Sequence, residues 1–167
     1  MRKNTDIVIN TGPILALVAA LGSLDILANL YRHVIVPKEV ANEVLAGGPD
    51  ALGVLEYRGE SFLSKKNRGI HINSYLANIL DLGEAAVIQT ALNEKIATVC
   101  IDESAGRRIA RLHGLNVTGS IGIILKAKSL GFCTEMDMAT LIEHMRRHGV
   151  WISRQTELAA LNLSQKQ

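Results

Sequence analysis

The chain has 167 residues, 48% of apolar types and 20% charged, with a formal net charge of +2. That is enough apolar material for one well-buried domain and too little length for two ordinary ones. A charge so near neutrality excludes a nucleic-acid binder that works through its overall field, so any such role rests on local patches.

Apolar strand-like runs alternate with helical patterns along the chain, which predicts an α/β fold of βα units with a mostly parallel sheet covered on both faces. The basic start, Met1-Arg2-Lys3-Asn4-Thr5-Asp6, leads into an apolar stretch cut by Asn10, Gly12 and Pro13. Neither a signal peptide nor a membrane span is expected there. The first strand covers 6–9. Thr11 or Gly12 then caps a helix with Pro13 in its first turn and an apolar body over 14–21 that Gly22 closes. So apolar a helix must be buried. A short helix over 23–31 follows, then the strand Val34-Ile35-Val36 and a helix opened by Pro37 that runs to about 45.

Over 46–73, Gly47-Gly48-Pro49, Gly53, Gly59 and Lys65-Lys66-Asn67-Arg68-Gly69 interrupt the periodicity. This predicts a loop-rich insertion with one short helix, then an extended piece at Ile70-His71-Ile72. Order resumes at Leu82-Gly83-Glu84 with a helix to about 94, a buried strand over 96–101, a helix over 104–113 and a strand over 115–117. A helix over 119–130 closes with Gly131. The C-terminal extension, about 132–167, adds a helix over 136–148, an extended segment at 150–153 and a terminal helix. A single domain over 1–167 is expected. Cys100 and Cys133 match no zinc spacing, and Cys100 lies in an apolar run, so a reducing, cytoplasmic setting fits.

In open parallel sheets, ligands bind beyond the carboxyl ends of the strands. Asn10 and Asp102 directly follow two apolar strands, Glu84 opens the helix before the second of them, and Glu43 lies on the helix after Val36. Helical periodicity puts Glu43 about 60° from Val40, against about 100° for Glu39, so Glu43 is expected at the core edge and Glu39 farther out. Carboxylates gathered in one cleft repel one another unless a cation compensates them, and all-oxygen ligands favour Mg²⁺ or Mn²⁺. Such an ion activates water for phosphodiester hydrolysis without a covalent protein intermediate. Each residue also has a purely structural reading. Asp81-Leu82-Gly83-Glu84 has capping-box spacing, Asp102 can cap the next helix, Glu43 can be a solvated charge, and Asn10 can satisfy a turn.

Arg107, Arg108 and Arg111 crowd the helix after Asp102, where they can hold phosphates or form a solvated face. Lys65, Lys66 and Arg68 form a second patch suited to guiding RNA or simply to solvation. Gly119-Ser120-Ile121-Gly122 offers free amides, including that of Ser120, at a helix start, or just a tight turn. Aromatic residues make up only 4%, too few for a stacking platform. His144 and His148 do not follow the zinc-protease order and read as helix-face residues.

In order, Ile7-Val8-Ile9-Asn10-Thr11-Gly12-Pro13, Val36-Pro37-Lys38-Glu39-Val40-Ala41-Asn42-Glu43, Leu80-Asp81-Leu82-Gly83-Glu84 and Ile101-Asp102-Glu103 resemble the PIN domain, and within it the family DUF3368. The resemblance continues through Val117-Thr118-Gly119-Ser120-Ile121-Gly122 to Gly149-Val150-Trp151-Ile152-Ser153. It implies a three-layer α/β/α fold and a Mg²⁺- or Mn²⁺-dependent ribonuclease acting on RNA, often the toxin of a toxin–antitoxin pair, with a protein antitoxin as partner and a homodimer as the assembly. By that resemblance Glu43, Glu84 and Asp102 are metal ligands, and Glu103 is an outer member. Asn10 stands where PIN nucleases usually carry an Asp. Its amide oxygen can coordinate a hard cation but cannot accept a proton, so the second reading is a binding module impaired in catalysis. Asp6, four residues and roughly 13 Å back along the strand, cannot easily replace it. A nucleotide-binding α/β protein is a third class, opposed by the missing glycine fingerprint.

Overall fold

The computed structural model describes residues 5–133 and 135–165. The first four residues of the basic start, and the last two of the expected domain span, lie outside that description. In chain order the elements are β1 (Ile7–Ile9), α1 (Thr11–Leu21), α2 (Asp25–Leu30), β2 (Val34–Val36), α3 (Lys38–Ala46), α4 (Val54–Gly59), β3 (Leu63–Lys65), α5 (Ser74–Ile79), α6 (Leu82–Glu94), β4 (Thr98–Cys100), α7 (Ser104–Leu112), β5 (Asn116–Thr118), α8 (Ser120–Ser129), α9 (Met138–Arg147) and α10 (Arg154–Ser164).

The five strands form one sheet in the order β3-β2-β1-β4-β5, and every pairing is parallel. Helices cover both faces, which is why β1 and β2 are apolar at every position and wholly buried. Ile7, Ile9, Ile14, Leu17, Ile101 and Ile123 are fully buried, each worth roughly 1.5–3 kcal/mol relative to exposure. α1 packs inside this core, with Ile14, Ala16 and Leu17 shielded from solvent, and Gly22 ends it in the left-handed conformation (φ 70°). Its apolar surface is therefore core. Both thiols are free, and burial pushes that of Cys100 well above its ordinary range, which leaves it inert.

Several sequence expectations need correcting. Ile70-His71-Ile72 has no regular structure; the extended piece of that segment is Leu63–Lys65, which joins the sheet edge beside β2. As an edge strand, only its first residue is buried, so it lacks the apolar run that marks the central strands. The segment 46–73 thus supplies part of the central sheet. α5 was not anticipated either; Asn73 caps it by accepting from the Tyr75 amide at 2.8 Å. The cap of α1 is Asn10, just before the expected Thr11 or Gly12, and its side chain makes no capping bond. Finally, Glu39 is buried and Glu43 exposed, the reverse of the helical-wheel expectation. The loop from β3 to α5 folds over the first turn of α3, where the Ile70 amide donates to Glu39 Oε1 at 3.1 Å.

Candidate metal centre

β1 and β4 are neighbours in register, Ile9 opposite Cys100, and the Asn10 amide continues the ladder to the Cys100 carbonyl at 3.0 Å. The chain therefore delivers Asn10 and, two residues past Cys100, Asp102 to the same carboxyl edge of the sheet. α3 and α6 pack against each other and bring Glu43 and Glu84 to that edge.

Glycines make the close approach of these side chains possible. A Cβ on Gly83 would lie 2.5 and 2.6 Å from the two Glu43 carboxylate oxygens and 2.9 Å from Asn10 Oδ1. Asn10 and Glu43 therefore converge over the first turn of α6, one residue from Glu84. A Cβ on Gly106 would collide with Glu84 Oε1, and one on Gly119 would lie 2.5 Å from Asp102 Oδ1. Each carboxylate rests on backbone that only glycine leaves open.

Asn10 is 6% exposed and Glu84 2%, and among the described residues neither Asn10 Oδ1 nor Glu84 Oε1, both buried, has a hydrogen-bond partner. Among the described residues Glu39 Oε2 and Thr90 Oγ1 are unpaired in the same way, but only at Asn10 and Glu84 do carboxylates crowd the orphaned acceptor, Glu43 beside Asn10 Oδ1 and Asp81 and Glu103 beside Glu84, an environment that favours positive charge. Asp81 accepts from the Glu84 amide at 2.7 Å, so the capping reading holds for Asp81. It leaves Glu84 Oε1 unused. Burial, followed by the negative charges of Asp81 and Glu103, lifts Glu84 from its ordinary 4.5 to about 7, against the opposing pull of the Gly106 and Asp81 backbone.

Asp102 does not cap α7; that position belongs to Glu103, whose side chain makes no capping bond. Instead Asp102 Oδ1 accepts from the Ser120 amide at 2.7 Å, tying β4 to the start of α8. Burial raises its carboxyl, countered by the Ser120 hydrogen bonds and then by Arg107. Glu43 accepts from the Thr11 hydroxyl. Among the described residues, the acids whose oxygens gather within 4.8 Å of one another are Asp81, Glu84 and Glu103. Glu103, expected as an outer member, is inside this group. Asp81 was missed as a member because its spacing was read only as a helix cap.

Of the basic residues, Arg107 stays near Asp102, with one guanidinium nitrogen on the Ile101 carbonyl at 2.8 Å. Arg108 and Arg111 are exposed on α7. Lys66 pairs at 2.7 Å with Glu94, ten residues or about 15 Å along α6 from Glu84. Lys65 lies over the Tyr57 ring and donates to the Arg58 carbonyl, and Arg68 is exposed. Asp6 is bound by Arg32 and His33 and does not approach Asn10.

The family model DUF3368, described as a PIN domain, matches residues 6–166. The chain belongs to this PIN-domain family. Neither the curated proteins nor the solved structures contain a match. The PIN assignment suggests a nuclease family, and PIN domains generally bind divalent metals. The donor set here suits that habit: every candidate ligand atom is oxygen, two are orphaned and buried, and the local charge is negative. No helix of the described residues is long and apolar enough to cross a membrane.

Proposed function

We propose that this PIN domain is a metal-dependent endoribonuclease, the toxin of a toxin–antitoxin pair, with Asn10, Glu43, Glu84 and Asp102 holding Mg²⁺ or Mn²⁺. The observation that carries this reading is the pair of buried oxygens without a partner among the described residues, Asn10 Oδ1 beside the Glu43 carboxylate and Glu84 Oε1 in the Asp81 and Glu103 cluster. A bound ion of this kind supplies an acidified water and charge stabilisation for the leaving oxygen. Glu43 and Asp102 contribute negative charge, each oriented by a protein donor, Thr11 or Ser120. Asn10 contributes an oxygen without charge and without basicity. Arg107 and the exposed Arg108 and Arg111 of α7 give the RNA backbone its cationic contacts. A protein antitoxin and a second copy of the chain are the partners that accompany this role.

One observation favours a second reading. Asn10 is buried and Asp6 is committed to Arg32, so Asp6 cannot take the place of the missing carboxylate on β1. A scaffold kept for binding RNA or protein, with hydrolysis lost, follows from that. Mn²⁺-dependent cleavage of a structured RNA mixture by wild type, Asn10→Asp and Asp102→Asn separates the two. Cleavage by wild type that Asp102→Asn reduces at least about a hundredfold supports the nuclease; cleavage gained only in Asn10→Asp supports the binding scaffold.

A further inference from the structure

A cavity of about 350 Å³ opens beside Asp102, between the end of β5, the first turns of α8 and the inner face of α10. Its volume sits near the lower end of the roughly 300–1,000 Å³ typical of small-ligand sites, so it takes one compact group. Its chemistry is divided. Ile121 and Leu125 of α8 face Ala159 and Leu163 of α10 to make an apolar slot, while Asp102 and Arg107 stand in its lining with the Thr118 and Thr156 side chains. A ligand that fits has apolar flat faces, a hydrogen-bonding edge and an attachment that ends at the acids.

We propose that this cavity is the base pocket of the RNA site: it receives one unpaired nucleobase next to the phosphate that a cation at Asp102 would hold. The proposal rests on the nuclease reading, since Asp102 belongs both to the candidate metal centre and to the cavity lining. A strand whose phosphate reaches the acids brings its neighbouring nucleotide to this opening. Unpaired bases are recognised by contacts to their faces and by hydrogen bonds along their edges. The slot supplies the first from aliphatic side chains, which matters in a chain with few aromatic residues. Arg107 supplies the second, because only its Nη1 is spent on the Ile101 carbonyl. Gly119 is what admits this pair of charged side chains: a Cβ there would lie 2.5 Å from Asp102 Oδ1 and 2.9 Å from Arg107 Nη1.

The test is equilibrium binding of a short, labelled, single-stranded RNA by fluorescence anisotropy, with Ca²⁺ as the cation, for wild type, Ala159→Trp and Leu158→Trp. Ala159 lines the cavity at its solvent-exposed rim, where an indole can cover the opening, whereas Leu158 is exposed and is not part of the lining. Ala159→Trp is expected to weaken binding at least about tenfold, the loss of one base contact, while Leu158→Trp stays within about twofold. The same RNA carrying abasic residues is expected to bind wild type at least about tenfold more weakly than the intact strand. Equal affinity of Ala159→Trp and wild type overturns the proposal, as does equal affinity of wild type for intact and abasic RNA; the second comparison decides alone if Ala159→Trp does not fold. Metal-dependent cleavage without base-dependent binding removes the pocket and leaves the nuclease. Base-dependent binding by a chain that never cleaves keeps the pocket and removes the nuclease.

Discussion

Glu84 concentrates the electrostatic tension of the molecule, because it is buried, faces Asp81 and Glu103, and keeps one oxygen unpaired. Its carboxyl is raised to about 7 from an ordinary 4.5, so between those pH values the folded chain holds a proton that the unfolded chain has released. Stability without metal therefore falls as pH rises from about 4.5 to about 7 and levels off above. Asp102, also raised by burial, contributes with the same sign. Asp6 acts the other way, its carboxyl held low chiefly by Arg32, but its effect lies at more acid pH. Thermal melts in a chelating buffer should show Tm declining across this window. Glu84→Gln should remove much of the decline, and a slope unchanged in that variant would refute the assignment. At this scale the sequence was informative about identity and poor about direction. Asn10, Glu43, Glu84 and Asp102 were legible from their places after apolar runs. The inversion of Glu39 and Glu43 was not, because it depends on a distant amide, that of Ile70, folding over α3.

At the scale of elements, the site depends on glycines at helix starts more than on the acids' own helices. Gly83 lies in the first turn of α6 with Glu43 and Asn10 pressed against its backbone. Alanine is the better helix former by up to about 1 kcal/mol, which offsets part of the strain of displacing the Glu43 carboxylate. Gly83→Ala should therefore leave Tm within a few degrees of wild type while weakening Mn²⁺ binding at least about tenfold, as read by melting and calorimetry together. Unchanged Mn²⁺ affinity would show that Glu43 is not a ligand. Gly106→Ala should be costlier to the fold, by about 1–3 kcal/mol, because its Cβ would meet Ile101 at 2.9 Å as well as Glu84. The elements that were readable beforehand, β1, β2, α1 and α6, are those whose burial is continuous or strongly patterned. β3 and α5 escaped because an edge strand and a six-residue helix bury one side chain each.

Across the whole molecule, attachment to the core is uneven. α1 and β4 lie in the interior, whereas α10 buries Ala160 alone and is pinned by the solvent-facing Arg146–Glu157 pair. Hydrogen exchange should consequently be fastest, among the helices, in α10 and slowest in α1 and α6; equal protection would contradict the packing described above. Uneven attachment also explains why assembly was not legible in the sequence. The apolar stripe of α1 is core, while Leu158 and Leu163 of α10 stay about half exposed, and periodicity alone does not distinguish the two. The central claim, that Asn10, Glu43, Glu84 and Asp102, gathered at one edge of the sheet, hold one cation, is tested most directly by calorimetric titration of the purified chain with Mn²⁺. Saturable binding in wild type that is lost in both Glu84→Gln and Asp102→Asn is the predicted result. No binding in wild type, or binding that survives both substitutions, would contradict it.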